Sequence, residues 1–238
     1  MILSLHMEKC GGTSLKAFLL RQYGSKLAHY SSGIEVVDES KLQSKPKHPF
    51  VAAPANKSVS DLNLEMLHGH FSYGLHEKYG LKPRYITMLR HPIDRFLSHF
   101  YHVKQRSIHP LHEQVKDMEL RKFVHSFAPA KHLQNFMVHR YAGTADNQWI
   151  PKTSADLNKA WHNLKDFEIV GFLSRRSEFL AAGVEKLGWD ADCGFPNENT
   201  TQRRQHYKDL TKDDRKVVEY ACALDIELYS RARNHFGV

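Results

Sequence analysis

The chain has 238 residues, of which 41% are hydrophobic and 25% charged, ordinary values for a soluble globular protein with one sizeable core. Lysine and arginine exceed aspartate and glutamate, 34 against 26, so the formal net charge is +8, which suits an anionic partner such as a nucleotide, a sulfated or carboxylated glycan, or nucleic acid. Three scattered cysteines argue against a disulfide framework, no apolar run approaches the roughly 20 residues of a membrane span, and no leader-like segment precedes the first predicted strand, so a soluble, cytoplasmic chain is expected.

Ile2-Leu3-Ser4-Leu5 has the length and apolarity of a buried strand, and Leu15, Phe18, Leu19 and Tyr23 recur at helical spacing. Between them lies HMEKCGGTSL, residues 6–15. Gly11 and Gly12 let the backbone approach a ligand without interference from Cβ. The free N–H groups and dipole of the following helix favour an anion, Thr13 and Ser14 add hydroxyls, and Lys9 adds a mobile cation. The pattern is not a Walker A loop, because Lys9 precedes both glycines rather than following them. Short glycine motifs also occur as ordinary strand–helix turns.

Residues 25–49 read as polar, irregular connection, with a short strand in 49–55 and a turn or two of helix over Asp61 to Leu67. His68-Gly69-His70, followed by Phe71 and Tyr73, reads as a strand end opening into a loop. Arg84 to Leu89 is a buried-strand pattern, and Arg90-His91-Pro92 closes it and starts a helix with Asp94 in its first turn. Arg90 then stands at a strand end, with Arg95 and Ser98 in the first turns of the helix. Residues 111–142 read as two helices broken near Ala128-Pro129, 153–164 as a helix, 166–172 as a strand, Glu178 to Leu187 as a helix and 188–210 as a polar loop. Thr211 begins a helix that runs to about His235. Strands separated by helices predict one α/β domain over 1–238, with a parallel sheet, helices on both faces and ligands beyond the carboxyl ends of the strands.

These motifs together resemble the carbohydrate sulfotransferases related to the heparan sulfate 2-O- and 6-O-enzymes. HMEKCGGTSL is similar to their H-x-P-K-[TC]-G-G-T-[ST] signature, RHPIDRFLSHFYH to their R-x-P-x-x-R-x-x-S element, and HGH plus an aromatic residue to the segment carrying the catalytic histidine. Glu8 departs from the pattern, which usually has proline there. The resemblance implies a P-loop nucleotide-kinase-like fold and the donor 3′-phosphoadenosine 5′-phosphosulfate, without a metal. It assigns Lys9, Gly11, Gly12, Thr13 and Ser14 to the 5′-phosphosulfate, Arg90 and Ser98 to the 3′-phosphate, Arg203 to a loop over the nucleotide, and His70 to the general base. A carbohydrate or similar hydroxyl compound would be the acceptor, with no nucleic acid partner.

Each assignment has a plainer counterpart. His68 competes with His70 for the base, and either could be a hydrogen-bonded structural histidine. Arg95 reads equally as a structural arginine. His68, Asn135 and Arg140 are the candidates facing the acceptor, against helical packing, and Arg203 could sit in a solvated loop. The sequons at Asn56 and Asn199 mean little without a secretory context. No H-x-x-x-H or paired C-x-x-C spacing marks a metal site among the 17 histidines and three cysteines. Two other classes compete: a kinase of related fold, which needs a lysine after the glycines and a magnesium-binding acid, and a non-catalytic binder of anionic glycan or nucleic acid.

Overall fold

The computed structural model describes residues 1–42, 49–127, 133–143, 152–195 and 206–237. In chain order its strands and longer helices are β1 (Ile2–Leu5), α1 (Gly12–Tyr23), β2 (Leu27–Tyr30), β3 (Ile34–Val37), β4 (Phe50–Ala52), β5 (Met66–Gly69) and β6 (Arg84–Leu89). There follow α2 (Pro92–Gln105), α3 (Phe136–Ala142), α4 (Ser154–Leu164), β7 (Ile169–Phe172), α5 (Arg176–Leu187), α6 (Lys212–Ala221) and α7 (Ala223–His235). The chain divides into two compact units.

The first unit comprises Met1–Met7, Gly11–Met88 and Asp166–Glu198 and contains the sheet, in the order β4-β3-β2-β5-β1-β6-β7. Strands β2, β5, β1 and β6 run parallel, while β3 and β4 join the β2 edge antiparallel. The α/β architecture read from the alternation of strands and helices is therefore observed, with a mostly parallel sheet. Its core places Leu15, Phe18 and Leu19 of α1 and Phe179 of α5 against Leu27, Met66, Ile86, Met88 and Ile169 of the strands.

The hairpin of β2 and β3 corrects the reading of residues 25–49 as irregular, with a further turn of helix at Glu39–Leu42. Four-residue strands among polar neighbours carry too little periodicity to read alone. Here pairing with β5, in the register Leu27↔Met66, supplies what local propensity does not. The predicted helical stretch over 61–67 is likewise a 3₁₀ turn, Val59–Leu62, that ends before β5.

The second unit comprises Glu8–Cys10, Leu89–Lys165 and Asn199–Val238 and is helical. Pro92 sits at the first position of α2, where its missing N–H costs nothing. Capping by Thr153 starts α4, and Thr211 starts α6 by accepting from the Asp214 N–H. Of the two helices expected over 111–142, the second is found as α3, and the first is not. Residues 112–127 form short turns, His112–Val115, Leu120–Lys122 and the π-type turn Phe123–Phe127, because Val115, Phe123 and Val124 are buried against Phe96 and Phe100 of α2 and packing overrides propensity. The expected break at Ala128-Pro129 lies outside the described residues. The single tail helix is two, α6 and α7, separated at the buried Cys222.

That separation places Asp225, at 0% exposure, on the N-terminal turn of α3, where its carboxylate accepts from the Met137 and Val138 N–H groups at 3.1 and 2.9 Å. Burial raises its pKa, opposed by the nearby Arg95 and by these backbone bonds. Arg95 is itself 1% exposed, with no hydrogen-bond partner for its guanidinium among the described residues. Removing the acid strands two backbone donors and a buried cation together. Asp225→Ala should lower stability by about 3–5 kcal/mol in urea titrations, whereas Asp225→Asn, which keeps an acceptor oxygen, should cost less.

Candidate functional site

β1 delivers the chain into the glycine turn, and packing explains why glycine stands there twice. Gly11 caps α1 in the left-handed conformation with φ 81°, and a Cβ on it would lie 2.8 Å from Leu173 Cδ1. A Cβ on Gly12 would lie 1.8 Å from Nε2 of His6, so the imidazole occupies the space of the missing side chain. The first turn of α1 has neither an acidic residue nor a side-chain cap. Its N–H groups face the turn with the positive end of the helix dipole, a chemistry that accepts an anion. Within the turn Thr13 is exposed and Ser14 is buried.

His6 belongs to a row of histidines in the first unit. Register places His29 of β2 and Ser4 of β1 on either side of His68 of β5. The Ser4 hydroxyl and His68 Nδ1 are 2.9 Å apart, and His29 Nδ1 donates to the His68 carbonyl at 3.0 Å. The His6 ring stacks on His68 at 5.3 Å between centroids and lies 4.8 Å from that of His70. His6 and His68 are 7% and 1% exposed, and burial, followed by the neighbouring histidines and Lys16, holds both well below the usual imidazole value. Both are neutral at pH 7. His70 is half-buried, and its Nδ1 donates to the His6 carbonyl at 3.3 Å. A carbonyl only accepts, so in neutral His70 the proton sits on Nδ1 and the lone pair on Nε2. Of the two histidines singled out from HGH, His70 therefore has the exposure and the tautomer of a base, and His68 those of a buried strut.

In the second unit Arg90, at the end of β6, donates from Nη1 to the Lys9 carbonyl at 3.1 Å. Glu8, the departure from the expected proline, forms an ion pair with Arg140 of α3 at 2.7 Å. Arg140 is 8% exposed, so it is buried against the loop rather than open to an acceptor. Asn135 is likewise engaged: its side-chain oxygen accepts from the Leu224 N–H at 2.9 Å and so caps α7. Ser98 and Arg95 are each 1% exposed on the inner side of α2, so a phosphate would reach them only from within the fold. Cys10 is buried and its thiol pushed up to about 12 by desolvation, which excludes it as a nucleophile at neutral pH. Arg203 lies outside the described residues. Among the described residues no group of histidine, cysteine or acidic side chains could hold a metal.

Sequence reasoning missed one cluster around Lys9. His99 and His102 stand three residues apart on α2, and His109 follows with ring centroids 6.3 and 5.7 Å from theirs. Burial first, and then positive neighbours including Lys9, holds His99 at about 3 and His102 at about 4, against an ordinary 6.5. The signal was available in the i, i+3 spacing, which puts both rings on one side of a helix. Folded-state values below the unfolded one mean that the unfolded chain takes up protons the folded chain refuses. The penalty these histidines place on stability should therefore be absent above pH 6.5 and grow as pH drops from there towards about 3, and His99→Gln should make the resulting fall in stability shallower in denaturant titrations across that range. Separately, Gly12→Ala must displace the His6 ring, and thermal unfolding should show a loss of about 1–3 kcal/mol.

A family profile described as "Sulfotransferase family" matches residues 1–230. Among solved structures the chain is similar to one titled "Crystal structure of mouse sulfotransferase SULT7A1 complexed with PAP", at 13% identity and a TM-score of 0.38. That match covers 95% of this chain and 64% of the other, so the chain spans under two thirds of its length. No curated protein matches.

Proposed function

Because the chain belongs to the sulfotransferase family, we propose that it moves a sulfuryl group from 3′-phosphoadenosine 5′-phosphosulfate to a hydroxyl of a carbohydrate or similar acceptor. The family match over residues 1–230 carries this reading. Further support comes from the uncapped, acid-free start of α1 and from half-buried His70, whose Nδ1 donates to the His6 carbonyl so that Nε2 carries the lone pair. The donor supplies an activated sulfuryl group whose leaving oxygen belongs to a phosphate.

The Gly11–Ser14 turn would bind the 5′ end through its N–H groups and hydroxyls, and Lys9 would meet the negative charge that grows on the leaving phosphate oxygen. Arg90, by its planar fork, and Ser98 carry the assignment to the 3′-phosphate from the resemblance, as Arg203 does to a covering loop. His70 takes the proton of the acceptor hydroxyl on Nε2 while that oxygen forms its bond to sulfur and the sulfur–phosphate oxygen bond breaks in line. His68 and Asn135, both engaged in internal hydrogen bonds, would shape the acceptor side only through the backbone they fix. The migrating sulfuryl group carries less charge than a phosphoryl group, so Lys9 can do what magnesium does in kinases. The likeness to the heparan sulfate enzymes favours a saccharide acceptor.

His70→Ala should lower transfer by about 10²–10⁴-fold and leave the affinity for 3′-phosphoadenosine 5′-phosphate, measured by calorimetry, nearly unchanged. Loss of both together would give His70 a binding or folding role. Strict dependence on magnesium and ATP would favour a kinase, and steeply salt-dependent binding to nucleic acid without nucleotide affinity would favour a non-catalytic binder.

A further inference from the structure

The loop carrying Lys9 holds an unusual conformation. Lys9 has φ 70°, in the left-handed region that a side chain with Cβ enters only where its surroundings hold it. Two arginines of the same unit hold the residues at this kink. Arg90 binds the carbonyl of Lys9 itself, and Arg140 binds the carboxylate of the preceding Glu8. The Glu8 and Arg140 side chains are 24% and 9% exposed, so the pair is shielded from salt and water as surface pairs are not. Arg140 is placed in turn: its guanidinium lies 4.9 Å from the Phe136 ring centroid, and Asp225 fixes the turn of α3 that precedes it.

We propose that Arg140 is a positioning residue that, through Glu8, holds the backbone of the Lys9 loop in its left-handed turn, so that Glu8 supplies by an ion pair the stiffness that proline would supply covalently. The role of Lys9 follows the sulfuryl-transfer reading, and the proposal rests on that reading. Of the two sequence readings of Arg140, acceptor contact or helical packing, it develops the second. A contact to the acceptor acts on acceptor KM alone, whereas a clasp on the loop acts on loop order and on donor affinity. It also makes Glu8 and Arg140 act as one unit, so their losses should not add.

The test compares the whole chain with Glu8→Gln, Arg140→Met, Arg140→Lys and the double variant Glu8→Gln/Arg140→Met, with thermal melting to confirm folding. Backbone amide exchange over residues 6–14 should be about tenfold faster in each of Glu8→Gln and Arg140→Met, no faster in the double variant, and partly restored in Arg140→Lys. Calorimetric affinity for 3′-phosphoadenosine 5′-phosphate should fall in the same order, with acceptor KM unchanged. Exchange that is unaltered in Glu8→Gln and Arg140→Met, losses that add, or faster exchange with undiminished nucleotide affinity would each overturn the proposal. If Arg140→Met does not fold, Glu8→Gln decides it, since Glu8 is the more exposed partner. If the unaltered chain binds no nucleotide, the functional reading fails, and exchange alone still decides whether the clasp exists.

Discussion

The imidazole of His6 stands where a side chain on Gly12 would have to be, 1.8 Å from the site of a missing Cβ, and the rest of the candidate site follows from that contact. A helix start can settle so closely on the end of a strand only if it has no side chain at that point. The close approach puts the first turn of α1 directly after β1. The absence of an acid or a side-chain cap in that turn keeps its dipole for an anion. The same imidazole stacks on His68, and its backbone carbonyl orients His70. One residue thus sets both the geometry of the turn and the tautomer of the histidine beside it.

The second unit solves a different problem, that of keeping cations inside a protein. Arg95 and Arg140 are both almost wholly buried and both lie against the Phe136 ring, at 5.2 and 4.9 Å. Their charges are answered by acids that are also withdrawn from water, Asp225 for the first and Glu8 for the second. Such arrangements are costly to assemble and costly to break singly, so they fix one conformation. The histidines around Lys9 follow the opposite rule. The largest charges acting on His99 and His102 are positive, Arg95, Lys9 and Arg106 among them, and the two stay neutral instead.

What the sequence made legible was whatever repeats or punctuates. The spacing of Leu15, Phe18 and Leu19, the proline at 92, the threonine at 211 and the apolar runs of β1, β6 and β7 each specify an element locally, and each element is there. Strands β2 and β3 were missed because LAHY and IEVV, interrupted by His29 and Glu35, lie among polar neighbours and owe their form to pairing. The turns over 112–127 were misread as helix because burial of Phe123 and Val124, not propensity, decides their path. In the candidate site, Lys9, the glycines and Arg90 were singled out by chemistry and order and His70 by the family resemblance, and their roles stand as proposals. The structural duties of Asn135 and Arg140 could not, since a cap on Leu224 and a pair with Glu8 span 89 and 132 residues of sequence. Glu8 read from sequence only as a departure from the usual proline, and the structure pairs it with Arg140.

The central claim is that the turn at Gly11–Ser14 receives the phosphate end of a donor nucleotide through its backbone N–H groups. The most direct measurement follows the backbone amide resonances of Gly11, Gly12, Thr13 and Ser14 while 3′-phosphoadenosine 5′-phosphate is added. The account predicts that these four shift strongly downfield and saturate together with one dissociation constant. Saturable shifts elsewhere in the chain with these four unmoved, or no saturable shift at all, would contradict it.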